Sequence, residues 1–280
     1  MASKATAKSP ANKKKQPVDS LVSAAGKPVV IVIDAVFDFM SPDGAFARHF
    51  GTEDTAPIHN LLPELDLLLD AAHKLEFPTV LVASSYPEGT FSVKGLCSSD
   101  EGRALVVAKR HIATASLHVL KSHNSLLQCD NRSELLELVA NRRVLLAGTT
   151  TVACVSKAVS VLKRHCAQIT VARNAVACRA HSHRREAMLF KQWENGGPKV
   201  GVVEDWQEFV HETTAANDEE GANIAPPVES ESQPATKGGA AAEKDGKFTD
   251  KEADKGGGKL STTTESAPDK KEVSETQKDV

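Results

Sequence analysis

The sequence predicts an α/β fold: three layers, with a mostly parallel six-stranded sheet and helices on both of its faces. Three observations predict it. Short apolar, β-branched runs recur along the middle of the chain, segments with helical spacing separate them, and the two ends are too polar to join a core.

Pro28–Ile33 (PVVIVI) is apolar throughout, as expected of a strand buried on both faces. Over residues 61–76, Leu62, Leu65, Leu69 and Ala72 fall at helical spacing, and Pro63 is tolerated in a first turn. Pro78–Ala83 (PTVLVA) reads as the second strand and Ala104–Ala108 (ALVVA) as the third. Ser133 opens a Ser-Glu-Leu-Leu-Glu stretch with the look of a capped short helix. Val144–Ala147 reads as the fourth strand, and Val152, Val155, Val159 and Leu162 as the apolar stripe of the helix after it. Ile169–Ala172 is the fifth strand. His183–Trp193 is a helix ended by Asn195-Gly196-Gly197-Pro198, Val200–Val203 is the sixth strand, and Trp206–Val210 starts a terminal helix. Repeated β-α-β order implies a mostly parallel sheet with helices on both faces.

From Thr213 to Val280 the only aromatic residue is Phe248, and residues 1–26 set Lys4, Lys8, Lys13, Lys14 and Lys15 against Asp19 alone. Such segments bury too little apolar surface to offset the entropy of ordering them, so 1–26 and 213–280 read as disordered tails around one domain, 27–212. The formal net charge of -3 does not favour nucleic acid, and the N-terminal lysines read as a solvated tail rather than an RNA-binding arm. That tail has no secretory h-region and lacks the arginines and apolar face of a good mitochondrial presequence. A cytoplasmic location is therefore expected, with a mitochondrial one the lesser alternative. No apolar run approaches membrane-spanning length. The five cysteines lack paired metal-ligand spacing and read as free thiols.

In folds of this kind ligands bind beyond the carboxyl ends of the strands. Asp34 follows the first predicted strand, Ser84-Ser85-Tyr86 the second, Lys109 the third, Gly148 to Cys154 the fourth and Asn174 the fifth. Alone, each has a plain structural reading: an Asp caps a helix, a Lys is solvated, a buried Cys is a small hydrophobe. Together they place a carboxylate, an amine and a thiol at one edge. A thiol reacts as its thiolate, which a helix N-terminus and a lysine favour, and a carboxylate can take the thiol's proton. Gly148-Thr149-Thr150-Thr151 offers backbone N–H donors for an oxyanion. Phe39 and Tyr86, each placed after a strand, are candidate substrate contacts, with core packing the equal alternative. His181 and His183 form an H-x-H pair with no obvious third metal ligand and read as a polar cap. Arg179, Arg184 and Arg185 read as a solvated basic face.

These motifs resemble the isochorismatase-like cysteine hydrolase family. Val29–Ile33 followed by Asp34 and Phe39 is similar to the family's opening, Lys109 at the end of Val106-Val107-Ala108 to its lysine, and Gly148-Thr149-Thr150-Thr151-Val152-Ala153-Cys154-Val155 to its G-x-x-T-x-x-C-V. The resemblance implies a Rossmann-like fold. It also implies a triad in which Cys154 attacks a carbonyl, Asp34 acts as base and then acid, and Lys109 holds both. Further implied are a cis peptide between Thr149 and Thr150 that aims the Thr150 and Cys154 N–H groups at an oxyanion, a thioester intermediate, and a homo-oligomer. Two departures bear on substrate. Val36 replaces the family's glutamine, and Ala83 to Phe91 lacks the Asp and two His of the nicotinamidase metal site. The expectation is a metal- and cofactor-independent hydrolase of a small amide, ureido or related carbonyl compound. The alternative is a catalytically quiet domain that binds protein or RNA through its tails.

Overall fold

The computed structural model describes residues 26–222; the tail expectations for 1–25 and 223–280 lie outside the described residues. Six strands form one all-parallel sheet in the order β3-β2-β1-β4-β5-β6: β1 Val29–Ile33, β2 Thr79–Ser84, β3 Leu117–Lys121, β4 Arg143–Thr149, β5 Gln168–Ala177 and β6 Val200–Val203. The chain runs outward from β1 to β3, then returns to lay β4 on the other side of β1, where Ile33 registers with Gly148. That reversal is the topological switch point, where a crevice opens above the strand ends.

The unbroken apolar run of β1 has its physical reason in the layers. Val30 and Val32 face a core built with Leu65, Leu68 and Leu69 of α4 (Leu62–Lys74) and Phe209 of α9 (Trp206–Ala222). Val29, Ile31 and Ile33 face a second core with Leu135 of α6 (Arg132–Val139), Val159 and Leu162 of α7 (Ser156–Leu162), and Trp193 of α8 (His183–Glu194). All five β1 side chains are buried, so neither face tolerates a polar residue. The helix read from 61–76 is α4, with Pro63 in its first turn as expected. The helix α9 continues to Ala222, past the boundary at 212 that composition suggests. Short helices α1 (Phe37–Met40), α2 (Ala45–Phe50) and α3 (Thr52–His59), too brief to show periodicity, fill the stretch between β1 and α4. Among the described residues, no helix is long and apolar enough to cross a membrane.

One strand prediction is corrected. Ala104–Ala108 is not a strand of the sheet. Leu105 makes an isolated antiparallel bridge to Val36, the Val106 N–H donates to the Ala35 carbonyl, and Val107 is buried in the α4-side core. The run is apolar because it lies across the end of β1. The true third strand is Leu117–Lys121, at the sheet edge. There Val119 and Lys121 point inward and are buried, while His118 and Leu120 are exposed. An edge strand alternates instead of running apolar.

Candidate active site

The same correction moves the predicted lysine. Lys109 begins α5 (Lys109–Thr114) on the surface and does not reach Asp34 or Cys154. The lysine that ends the third strand is Lys121, 1% exposed, with its Nζ 2.8 Å from Asp34 Oδ2. The missed signal was the alternation in Leu-His-Val-Leu-Lys, which puts Leu117, Val119 and Lys121 on one face.

Three strand ends deliver the groups. Asp34 follows β1 directly and adopts a positive φ of 55°, a conformation that Asp tolerates better than most residues and that clusters at functional sites. Lys121 is the last residue of β3. Cys154 sits in a π-helical turn, Thr151–Val155, between β4 and α7; single π turns are frequent at functional sites. The peptide between Thr149 and Thr150 is cis.

The ammonium of Lys121 has three N–H bonds and uses them on Asp34 Oδ2, on Ser84 Oγ and on Tyr86 Oη at 3.0 Å. Ser84 donates to Asp34 Oδ1 at 2.7 Å, so the carboxylate is held from both oxygens. Cys154 Sγ lies 3.7 Å from Lys121 Nζ and 3.8 Å from the Tyr86 hydroxyl, and the thiol also faces Asp34. Ser84, Lys121 and Tyr86 thus form a fully bonded polar cluster in an otherwise apolar interior, where an unbonded member is costly.

The charges set the protonation states. Burial pushes the Cys154 thiol up, Asp34 adds to this, and Lys121 opposes, leaving it at about 12. Burial works against the Lys121 ammonium, but Asp34, then Cys154 and Tyr86, outweigh it and hold the amine above its ordinary value. Burial and then Asp34 push the Tyr86 phenol up, so it stays a donor. In the resting site the thiol is therefore protonated beside an ionic pair. Because Asp34 holds the thiol up, Asp34→Asn should raise the thiolate fraction. Iodoacetamide should then label Cys154 at pH 7 faster, by roughly tenfold or more, while turnover is lost with its base. Quench-and-count mass spectrometry reads both the site and the rate.

A second pH effect concerns stability. Burial raises Cys154 to about 12 and Cys166 to about 11, from an ordinary 9.0. Below pH 9 both thiols are protonated folded and unfolded, and full stability is present. Above it the unfolded chain loses its protons first, so stability falls until pH passes the folded values. The expected loss is on the order of 1 kcal/mol per thiol per pH unit. Urea midpoints at pH 8 and 10 check it.

Cys154, Thr150, Phe39 and Tyr86 line one cavity of about 260 Å³, walled also by Phe46, Phe50 and Phe91. The Phe46 and Phe50 rings stack edge to face, 4.8 Å between centroids, and Tyr86 and Phe91 do so at 4.6 Å. Sequence reasoning named Phe39 and Tyr86 but not the other three rings, which sit in α2 and in the loop after β2, where no periodicity marks them. Arg185 also lines the cavity, and among the described residues no carboxylate pairs with it. Arg179 also lines the cavity but is bound to Asp54 at 3.0 Å and stacked on Phe50. Asn174 is not part of the site; its Oδ1 accepts from the Trp206 N–H at the start of α9.

The family model for the isochorismatase domain matches residues 28–226 of the chain. The chain belongs to the isochorismatase family. Among solved structures, this isochorismatase-family domain is similar to the pyrazinamidase/nicotinamidase of Streptococcus mutans UA159. Identity there is 20% and the TM-score 0.51, over 63% of this chain and 100% of that one. It is similar also to an isochorismatase-like hydrolase from Alkaliphilus metalliredigens, at 14% identity and a TM-score of 0.52, over 68% of this chain and 98% of that one. A putative isochorismatase hydrolase from Oleispira antarctica gives 14% and 0.52, over 66% and 96%. At these identities the likeness is one of fold. No curated protein matches the chain. The domain is thus an isochorismatase-like hydrolase domain, with Lys121 near Asp34 and Cys154.

Proposed function

We propose that the domain is a cysteine hydrolase of small amides, ureides or related carbonyl compounds, with Asp34, Lys121 and Cys154 as its triad. The observation that carries this reading is the meeting of a carboxylate, an ammonium and a thiol from three strand ends, with the thiol lining one cavity. Asp34 takes the Cys154 proton as the sulfur attacks the carbonyl carbon. Lys121 stabilises the thiolate, and the Thr150 and Cys154 N–H groups are the proposed donors to the oxyanion. The C–N bond breaks as Asp34 returns the proton to the leaving nitrogen. Water, losing a proton to Asp34, then cleaves the thioester, and the thiol is restored.

The residue types argue for chemistry without a metal at this point. At the end of β2 and just past it the chain offers Ser84, Ser85 and Tyr86, none of them a carboxylate or an imidazole, and the Tyr86 hydroxyl accepts from Lys121. The cavity wall suggests the substrate. Five aromatic rings favour an apolar or aromatic acyl part, and Arg185, without a carboxylate partner among the described residues, favours an anionic group on the substrate.

The test compares wild type with Cys154→Ala over small amides and ureides, with and without a carboxylate. Hydrolysis by wild type alone, by at least a thousandfold, supports the reading. No turnover of any compound, together with a Cys154 alkylation rate that is the same in Asp34→Asn as in wild type, means a catalytically quiet domain.

A further inference from the structure

A second cluster of reactive side chains stands apart from the triad. Cys178 directly follows β5, and His183 and Glu186 occupy the first turn of α8. One ligand atom from each, a thiol sulfur, an imidazole nitrogen and a carboxylate oxygen, lies within 4.8 Å of the other two. We propose that Cys178, His183 and Glu186 form a binding site for a zinc-class divalent cation.

Three features carry this. The donor set mixes sulfur, nitrogen and oxygen, which suits a borderline-soft ion such as Zn²⁺ and not Mg²⁺ or Ca²⁺. The positions are set by the fold. Cys178 is anchored by the β4–β5 ladder, where Thr149 registers with Ala177, and His183 and Glu186 are three residues apart on one helix face. The carboxylate is also turned inward. Glu186 keeps only 13% side-chain exposure and its Oε2 lies 3.1 Å from His183 Nδ1. A surface glutamate that merely capped the helix would point to solvent. Donors of a tetrahedral zinc site stand about 3.3–3.8 Å apart, so a modest rotation of His183, which is more than half exposed, closes the set. A depression of about 290 Å³ beside His183 and Glu186 leaves room for water or another ligand in the fourth position. The H-x-H pair read from the sequence resolves differently. His183 belongs to the cluster, while the His181 backbone N–H donates to Asp54.

Binding would release the Cys178 proton and tie the end of β5 to the start of α8. Between these anchors lie Arg179 and Ser182, and one position beyond His183's neighbour lies Arg185; all three line the triad's cavity. A cation here would hold one wall of that cavity.

The test uses the full chain with Cys154→Ala, so that the cavity thiol gives no signal, titrated with Co²⁺ under a non-thiol reductant. Expected is one equivalent bound with a sulfur-to-cobalt charge-transfer band, reversed by Zn²⁺. Adding Cys178→Ser should abolish the band, and adding His183→Ala or Glu186→Gln should weaken cobalt binding at least tenfold. Because the buried Cys178→Ser chain can fail to fold, the two helix variants decide independently. No band in the parent, a band retained in folded Cys178→Ser, or unchanged affinity in both His183→Ala and Glu186→Gln overturns the proposal. Hydrolytic activity plays no part in the readout, so the outcome is separate from that of the triad.

Discussion

Replacing Lys121 by Met is expected to abolish turnover and to destabilise the fold by about 3–5 kcal/mol, because it strands a buried carboxylate. Asp34 has no measurable exposure, and among the described residues Lys121 is its only cationic partner. Lys109→Met should change neither activity nor stability by more than about 0.5 kcal/mol, since Lys109 is an exposed residue without an ion-pair partner among the described residues. Methionine keeps most of the volume of the lysine stem, so the loss reports charge and hydrogen bonding more than a cavity. A double variant, Asp34→Asn with Lys121→Met, removes both charges. It should recover a large part of the lost stability and none of the activity, since a buried pair contributes little against neutral replacements while a broken pair is costly. Chemical denaturation of the four proteins, beside an assay on any substrate that emerges, settles the assignment. Equal stability of Lys121→Met and wild type would remove the buried pair from the account.

Gly148→Ala is expected to be the most damaging single methyl addition in the sheet. Gly148 has a φ of +106°, and a Cβ built on it would meet the Ile33 carbonyl oxygen at 2.1 Å and the Ile33 nitrogen at 2.6 Å. Both obstacles are backbone atoms of the central strand, which cannot swing aside as a side chain can. The β4–β5 register shifts at this same point, between Leu146 and Gly148. The cost should be at least ~2 kcal/mol, from the positive φ and the overlap together. Against the roughly 5–15 kcal/mol that holds a domain together, that is a large share. Because Ile33 immediately precedes Asp34 and Gly148 leads into Thr149 and Thr150, the substitution should also displace the cavity floor. Calorimetry would show a lowered Tm, and alkylation of Cys154 would show an altered rate. A Tm within a degree of wild type contradicts the close approach of β1 and β4.

The two predictions mark what could be read from residues alone. Strands buried on both faces announce themselves, and β1, β2, β4, β5 and β6 were legible because Val29–Ile33, Pro78–Ala83, Val144–Ala147, Ile169–Ala172 and Val200–Val203 are largely apolar runs. The groups that follow two of them, Asp34 and Cys154, were legible for the same reason. The edge strand was not. Leu117–Lys121 has one exposed face, so His118 and Leu120 break the run, and the lysine at its end looks like a surface residue. Ala104–Ala108 was the better strand by composition, yet its apolar character serves to cover the end of β1. The aromatic cavity wall was hidden likewise, because Phe46, Phe50 and Phe91 stand in short or irregular segments.

By itself, the sequence determined the alternation of strands and helices, the parallel sheet, and the carboxylate and thiol at two strand ends. These follow from local periodicity, which is written into neighbouring residues. Only the tertiary structure decided which lysine completes the site. A buried ammonium is tolerable only where a distant carboxylate meets it. Asp34 and Lys121 are 87 residues apart in the chain, and two intervening crossovers bring them within 2.8 Å.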